Sequence, residues 1–208
     1  AVGSQIGSYH PQVAYYGLLL IGLYSLYRLI QGIIEKETWA RLMTTMGMTG
    51  ASLAIGYYMA SIVLMPMQEY LPFSIRGAGD SSGLGGLSFN YATSWSFDWW
   101  EIFTFIIPGF SGFGGNTYWG DMPFTSYPHY LGIPVVILAF IALIAGEKRR
   151  DYWFFVIVLL LSLFIGMGKN FSILSSFLLN YLPYFNKFRE PSMILILFAM
   201  ATAVLAGC

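Results

Sequence analysis

The sequence predicts an all-α protein, a polytopic transmembrane helical bundle with short interfacial or re-entrant helices. Its 208 residues are 57% hydrophobic and only 10% charged, whereas soluble domains carry about 25% charged residues. The charges balance to a formal net charge of zero, which provides no basic field for nucleic acid, so we expect no nucleic-acid partner. The single cysteine, Cys208, excludes an intrachain disulfide framework and a cysteine-based metal cluster.

Five apolar runs predict the membrane-spanning helices, because a crossing of the hydrocarbon core takes about 20 mostly apolar residues. The first run carries a single charge, Arg28, and the second run carries none. We place the spans at residues 13–34, 42–65, 130–146, 152–168 and 192–207. The last run is too short for a full crossing, so residues 1–208 are expected to be one membrane-embedded segment of a longer chain.

Small residues recur four positions apart along the second predicted span. The pairs are Gly47/Ala51, Gly50/Ala54, Ser52/Gly56 and Gly56/Ala60. Such residues let helix backbones approach closely in lipid, where no hydrophobic force drives helices together. We interpret them as packing sites within the chain, with a dimer interface as the less favoured alternative.

The basic residues predict the orientation, because short cytoplasmic loops are enriched in Lys and Arg. The loops at 35–41 and 147–151 are basic, whereas the long segment 66–129 holds one basic residue against five acidic ones. We therefore expect the two loops to be cytoplasmic and the long segment to face outward. Three further cations fall on the outer side against this rule: Lys169, Lys187 and Arg189. They indicate either an error in the predicted topology or a functional group of charges.

The outer segment predicts short helices that do not cross the membrane. Asp98 can cap a helix whose third position is Glu101, and that helix is expected to end by residues 108–109. The tryptophans at its start suit an interfacial or re-entrant position. Residues 171–182 are a second candidate, with an apolar face and a serine-rich face at helical spacing.

The ionisable residues disfavour several functional classes. They are nearly absent from the predicted spans, whereas ion pumps and proton-coupled transporters place acids or histidines at membrane depth. The two histidines, His10 and His129, both lie at outer helix ends, so we expect no haem held by paired histidines. Each histidine is more often a hydrogen-bonded interfacial residue than a ligand or base. The sequence predicts no metal site and leaves a divalent cation open as a cofactor.

Charged residues converge on the predicted outer face and supply the candidate site. The candidate catalytic residues are Asp98, Glu101 and Asp121, and the candidate substrate-binding residues are His10, His129, Lys187, Arg189 and Glu190. Carboxylates can act as general bases, and a planar guanidinium suits phosphate. Helix capping is the alternative role for the first two acids. A cap with headgroup contacts is the alternative role for Arg189 and Glu190.

Several motifs, taken in order, carry a resemblance to a known family. They are Tyr-Ala-Thr-Ser-Trp-Ser-Phe at 91–97, Phe-Ile-Ile-Pro-Gly-Phe at 105–110, Tyr-Trp-Gly-Asp-Met-Pro-Phe at 118–124, Tyr-Leu-Gly-Ile at 130–133, Phe-Arg-Glu-Pro-Ser at 188–192 and His-Pro-Gln-Val-Ala-Tyr-Tyr at 10–16. Together they resemble YfhO-type bacterial multi-pass membrane proteins over most of the chain. Relatives tend to have Ser-Phe-Pro-Pro-Glu-Glu where this chain has Ser-Phe-Asp-Trp-Trp-Glu at 96–101.

That family is similar to GT-C glycosyltransferases, which implies a GT-C-like fold with an outward-facing site. The resemblance implies sugar transfer from a polyprenyl-phosphate donor to an extracytoplasmic acceptor, in the bacterial inner (cytoplasmic) membrane. It also implies that the catalytic acid of such enzymes belongs to a loop before Ala1. The implied partners are the lipid bilayer and a polyprenyl-phosphate-linked sugar.

A non-catalytic integral subunit of a larger membrane complex is the alternative function. In that case the bundle packs against membrane-complex partners or pigments, and His10 or His129 could ligate a pigment metal. An acidic pair in the loop before Ala1 would favour the enzyme, and a coloured purified protein would favour the subunit.

Overall fold

The computed structural model describes residues 11–74, 87–125, 129–146 and 151–208. All regular structure in these ranges is helical, which confirms the predicted all-α class there. The chain divides into two compact units, Ala1–Ser74 and Ile75–Cys208. Two of the described helices are long and apolar enough to cross a membrane, or three if a bent pair in the second unit counts as one span. By length and composition, the chain is therefore a membrane protein.

The first unit consists of two long helices, α1 (Pro11–Ile34) and α2 (Trp39–Tyr70). Both are long and apolar enough to cross a membrane, and the spans predicted at 13–34 and 42–65 lie within them. Uninterrupted helices of this kind satisfy their own backbone hydrogen bonds, as the bilayer interior requires. The second helix is longer than predicted, because Pro66 lies inside it without ending it.

A tight turn joins α1 to α2. Lys36 has a left-handed φ of +55°, and the N–H of Glu37 donates to the carbonyl oxygen of Gly32 at 2.8 Å. A Cβ atom at Gly32 would lie 2.3 Å from Cδ2 of Leu42. The missing side chain at position 32 therefore lets the start of α2 pack against the end of α1.

The small residues of α2 are packed over only part of its length. Gly56 and Ala60 are buried, and Ala60 packs with Ala14 of α1. At Gly47 and Gly50, by contrast, no described atom lies within 4 Å of the position that a Cβ would take. Packing within the chain, as predicted for these small residues, is therefore confirmed at Gly56 and Ala60. It is not seen at Gly47 and Gly50 among the described residues.

The second unit is built from shorter helices. They are α3 (Phe89–Ala92), α4 (Ile133–Ala145), α5 (Tyr152–Gly166), α6 (Ser172–Tyr181) and α7 (Leu195–Ala206). Helix α7 packs against both α4 and α5. These three helices have 13, 15 and 12 residues, so each is about 20 Å long, against a hydrocarbon core of about 30 Å. The spans predicted at 130–146, 152–168 and 192–207 therefore coincide with helices that are shorter than predicted.

Residues 87–125, from the predicted outer segment, are attached to this bundle by aromatic side chains. Trp95, Phe97 and Phe105 form one buried cluster with Leu195 and Phe198 of α7. The rings of Phe105 and Phe198 are stacked with their centroids 4.5 Å apart. Burial of these aromatic rings stabilises the contact between residues 95–105 and α7, since each ring buries about 150–250 Å².

The helix predicted from Asp98 is present as a shorter 3₁₀ helix, Trp100–Phe105. The Glu101 half of the predicted capping box is confirmed, because its Oε2 accepts a hydrogen bond from the N–H of Asp98 at 2.9 Å. The other half is wrong, since the Asp98 carboxylate accepts from the N–H of Trp99. The helix ends before the predicted 108–109 because turns follow it, with Gly109 at a φ of +68°.

A sharp corner separates α5 from α6. The two helix axes differ by 112°, and the 3₁₀ segment Gly168–Phe171 lies between them. Gly168 has a φ of +45°, and a Cβ there would lie 2.1 Å from Oγ of Ser96. Ser96 in turn accepts a hydrogen bond from the N–H of Lys169 at 2.8 Å. The corner and the outer segment are therefore packed against each other without space for a side chain.

Candidate functional site

The structure brings together the three carboxyl side chains predicted as catalytic. The carboxyl of Asp98 lies close enough to that of Asp121 to raise the pKa of Asp121. Glu101 lies beside them, because its Oε2 accepts from the N–H of Asp98. Tyr118 completes the group, and its hydroxyl donates to Oε1 of Glu101 at 2.6 Å. We call these four residues the carboxyl cluster.

Glu101 is the buried member of the carboxyl cluster, with 1% of its surface exposed. Burial raises the pKa of its carboxyl, and the hydrogen bonds from Tyr118 and Asp98 act in the opposite direction. The backbone at Gly120 passes close to Glu101, and only glycine fits there, since a Cβ would lie 2.5 Å from Oε1 of Glu101. Both oxygens of Glu101 accept hydrogen bonds from protein groups and the side chain is buried, so Glu101 positions its neighbours and is not exposed to a substrate.

Asp121 is the exposed member of the cluster. The neighbouring Asp98 side chain raises the pKa of its carboxyl, with a smaller contribution from burial. An exposed carboxyl with a raised pKa can accept a proton from a bound hydroxyl group more readily than an ordinary aspartate. Of the predicted catalytic residues, Asp121 is therefore the most accessible from solvent.

Lys169 is a cation of this site that the sequence did not assign to it. It follows the corner glycine Gly168, and its charge lowers the pKa of Asp121, against the other influences. Its ammonium is on an exposed residue, so it can also meet a ligand. The sequence does contain a clue to this role. Lys169 lies on the predicted outer side, whereas most Lys and Arg residues are expected in cytoplasmic loops.

Exposed tryptophans lie next to the cluster acids in the chain. Trp99 and Trp119 are 49% and 63% exposed, and each is within two residues of an acid of the cluster. The ring of Trp119 is stacked on Trp100, with centroids 4.9 Å apart and planes 20° apart. Ligand sites typically combine aromatic surface with a few polar groups, and sugars pack their C–H faces on aromatic rings.

Arg189 is engaged by its own neighbours. Its guanidinium lies over the ring of Trp95 at 4.1 Å and over that of Tyr91 at 5.2 Å. It also donates from Nη1 to the hydroxyl of Tyr91 at 2.9 Å and pairs with Glu190 at 3.7 Å. Its Nε is buried and has no hydrogen-bond partner among the described residues. These contacts favour a role for Arg189 in holding the segment that contains Tyr91 and Trp95. They leave fewer guanidinium N–H groups available for a phosphate than the sequence predicts.

The remaining predicted binding residues are placed near the start of α7. Lys187 ends the 3₁₀ turn Phe185–Lys187, and Glu190 immediately precedes the 3₁₀ helix Pro191–Ile194 that leads into α7. Both side chains are half-buried. They flank Arg189 on the chain, as the sequence predicts, and Glu190 is the residue that pairs with it.

His129 lines a cavity beneath the carboxyl cluster. The cavity has a volume of about 10 Å³ and is also lined by Glu101, Thr104 and Ser111, which is room for about one water molecule. The imidazole is edge-on to Phe97 at 5.5 Å, and burial lowers its pKa to about 4. The imidazole is therefore neutral at pH 7 and adds no positive charge to the site.

His10 lies outside the described residues. Within the described ranges, no group of three or more His, Cys, Asp or Glu side chains is arranged to hold a metal ion. The chain was also compared with known proteins, and no family model, no curated protein and no solved structure matches it.

Proposed function

We propose that the chain is part of a GT-C-like membrane glycosyltransferase of the bacterial inner membrane. It transfers a sugar from a polyprenyl-phosphate donor to an acceptor on the extracytoplasmic side. The observation that carries the proposal is the grouping of three carboxyls, with Glu101 hydrogen-bonded to Asp98 and Tyr118, Asp121 exposed beside them, and exposed tryptophan rings nearby in the chain. The motif resemblance at 91–97 and 118–124 supports it independently, since both motifs lie in this part of the chain.

In this reaction we assign the general base to Asp121, in place of the acid before Ala1 that the resemblance implies, because Asp121 is the exposed carboxyl of the cluster. Its carboxylate takes the proton of the acceptor hydroxyl, and the hydroxyl oxygen attacks the anomeric carbon of the donor sugar. The bond from that carbon to the phosphate oxygen breaks, and the phosphate leaves with the electron pair, so the anomeric configuration inverts. Glu101 and Tyr118 are positioning residues, because their hydrogen bonds hold Asp98 and the turn at Asp121.

The leaving phosphate requires a positive charge as it develops a second negative one. We assign this role first to Lys169, whose charge acts on Asp121. Arg189 is the further cation that the sequence predicts for it, and its side chain is 28% exposed.

The test is the transfer of a labelled sugar from a polyprenyl-phosphate donor by the full-length protein in lipid. Asp121→Asn is expected to lower the rate by about 10²–10⁴-fold, because a general base contributes that much. Glu69→Gln is the matched control, since it neutralises an exposed carboxylate at the end of α2 and should leave the rate unchanged.

The outcomes separate two sources of the base. Transfer that survives in Asp121→Asn would show that another group is the base, and would remove our assignment. Absence of transfer by the full-length protein with every polyprenyl donor, together with a co-purifying membrane complex, would favour the non-catalytic subunit.

A further inference from the structure

Helix α6 carries a row of apolar side chains that no other described residue covers. Ile173, Phe177 and Tyr181 lie four residues apart and are 82%, 57% and 74% exposed. The other side of the helix faces the protein, because Ser175 is buried and its hydroxyl donates to the carbonyl oxygen of Gly168 at 2.7 Å. The apolar row is therefore held pointing away from the bundle.

The corner before α6 gives the direction of the helix. The axis turns by 112° between α5 and α6, so α6 runs nearly perpendicular to the bundle helix that precedes it. The turn is tightly packed, since a Cβ at Gly168 would overlap with Ser96 and would lie 2.8 Å from Cγ of Pro191. If α5 follows the membrane normal, as expected for the span predicted at 152–168, the 112° bend brings α6 close to the plane of the membrane.

The exposed apolar row has counterparts on the helices of the bundle. Ile137, Phe140 and Ile144 of α4 are 52%, 62% and 71% exposed, as expected of side chains that face lipid. The sequence of α6 contains no charged residue, and its C-terminal turn carries Tyr181. Tyrosines are enriched where the headgroups meet the acyl chains. The composition of α6 therefore fits the boundary region and not water.

We propose that α6 is an interfacial helix that lies on the outer leaflet and inserts Ile173, Phe177 and Tyr181 at the boundary between headgroups and acyl chains. The partner is the lipid bilayer itself. The lipid-facing row differs from the apolar face predicted from spacing, because the corner turns Ser175 inward. With no basic residue on the helix, the contact is apolar and does not depend on anionic lipid.

The experiment uses the full chain in nanodiscs, with Cys208→Ser and one new cysteine carrying an environment-sensitive fluorophore. The test position is Phe177→Cys, and the matched control is Ser172→Cys, which is exposed on another side of the same helix. At position 177 we expect a blue-shifted emission, and quenching by a nitroxide near the headgroup about twofold stronger than by one at the chain end. At position 172 we expect neither, and both results should be the same in zwitterionic and anionic lipid.

Three results would overturn the proposal. Stronger quenching from the chain end at position 177 would indicate a re-entrant helix, and emission typical of water would indicate an exposed surface. A blue shift without quenching by either nitroxide would indicate a protein partner in place of lipid. Ile173→Cys serves as a second test position, since its side chain is even more exposed and the label cannot disturb the fold there.

Discussion

The two compact units of the chain use their apolar residues in different ways. In the first unit, only 6% and 11% of the most apolar windows of α1 and α2 are buried in the protein. In the second unit, apolar and aromatic side chains are concentrated in buried clusters, one of which joins Trp95 and Phe97 to α7. The first unit therefore leaves most of its apolar surface uncovered by described residues, whereas the second unit buries much of its apolar surface between its helices and residues 87–125.

The second unit depends more on specific contacts between distant residues than the first unit does. A long helix satisfies its backbone hydrogen bonds by itself, so the first unit needs few contacts between distant residues. The second unit is broken into short segments and joins them by individual hydrogen bonds: Phe97 N–H to Gly166, Asn170 Nδ2 to Phe97, and Trp95 Nε1 to Phe124. Single substitutions should therefore disturb the second unit far more than the first.

The largest effect is expected from Gly168→Ala at the corner. The new Cβ would overlap with Oγ of Ser96, and alanine would have to adopt a φ of +45°. We expect a loss of about 3 kcal/mol of unfolding free energy, measured by thermal unfolding in detergent micelles. The matched control is Gly47→Ala in α2, where no atom is near, and it should be neutral or stabilising by up to about 1 kcal/mol. Equal effects of the two substitutions would contradict the comparison of the units.

A slightly smaller loss is expected from Glu101→Ala. It leaves the Tyr118 hydroxyl and the N–H of Asp98 without their acceptor, at a cost of about 2–3 kcal/mol. Thermal unfolding measures this loss, and Glu69→Gln serves as the exposed control. A Glu101→Ala protein as stable as its parent would show that the carboxyl cluster does not support the outer segment.

The pH dependence of stability should reflect His129. Its pKa in the folded protein is about 4, below the ordinary value of about 6.5. The unfolded chain therefore binds more protons between these values, and this contribution to stability rises with pH across that window. Because His129 is only half-buried, we expect its contribution to the free energy of unfolding to rise by about 2 kcal/mol between pH 4 and 7. The measurement is the pH dependence of unfolding of the parent compared with that of His129→Gln. An identical pH profile for the two proteins would show that the imidazole is not desolvated.

The smallest effect is expected from Arg189→Lys. Lysine keeps the charge but loses the planar contact with Trp95 and the hydrogen bond to Tyr91. We expect a loss of about 1 kcal/mol in thermal unfolding, since exposed cation–π contacts contribute about that much. A Lys variant with full stability and reduced sugar transfer would instead show that the guanidinium is used by the substrate.

The comparison of the units also explains what the sequence could predict. The long helices at 13–34 and 42–65 depend only on local composition, and both were located. The contact of Glu101 with Asp98 follows from a three-residue spacing, and it too was predicted. The corner at Gly168 could not be, because it depends on Ser96, which is 73 positions from the Lys169 N–H that it accepts.

The candidate site follows the same pattern. The acids at 98, 101 and 121 were identified by type and by their position on the outer side, and the structure brings them together. The part played by Lys169 and the engagement of Arg189 by Trp95 were not predicted. Both depend on contacts between residues 91–121 and residues after α5, which are far apart in the sequence, so no local pattern predicts them.

The central claim is that the carboxyl cluster faces the extracytoplasmic side, where its acceptor is expected. The most direct test is cysteine labelling of intact cells with a membrane-impermeant reagent, in a Cys208→Ser background. Asn116→Cys lies in the exposed 3₁₀ turn Gly115–Thr117 near the cluster, and Lys148→Cys lies in the basic loop at 147–151. We predict labelling at position 116 in intact cells and at position 148 only after permeabilisation, as the distribution of Lys and Arg requires. Labelling at position 148 in intact cells, with none at 116, would contradict the account.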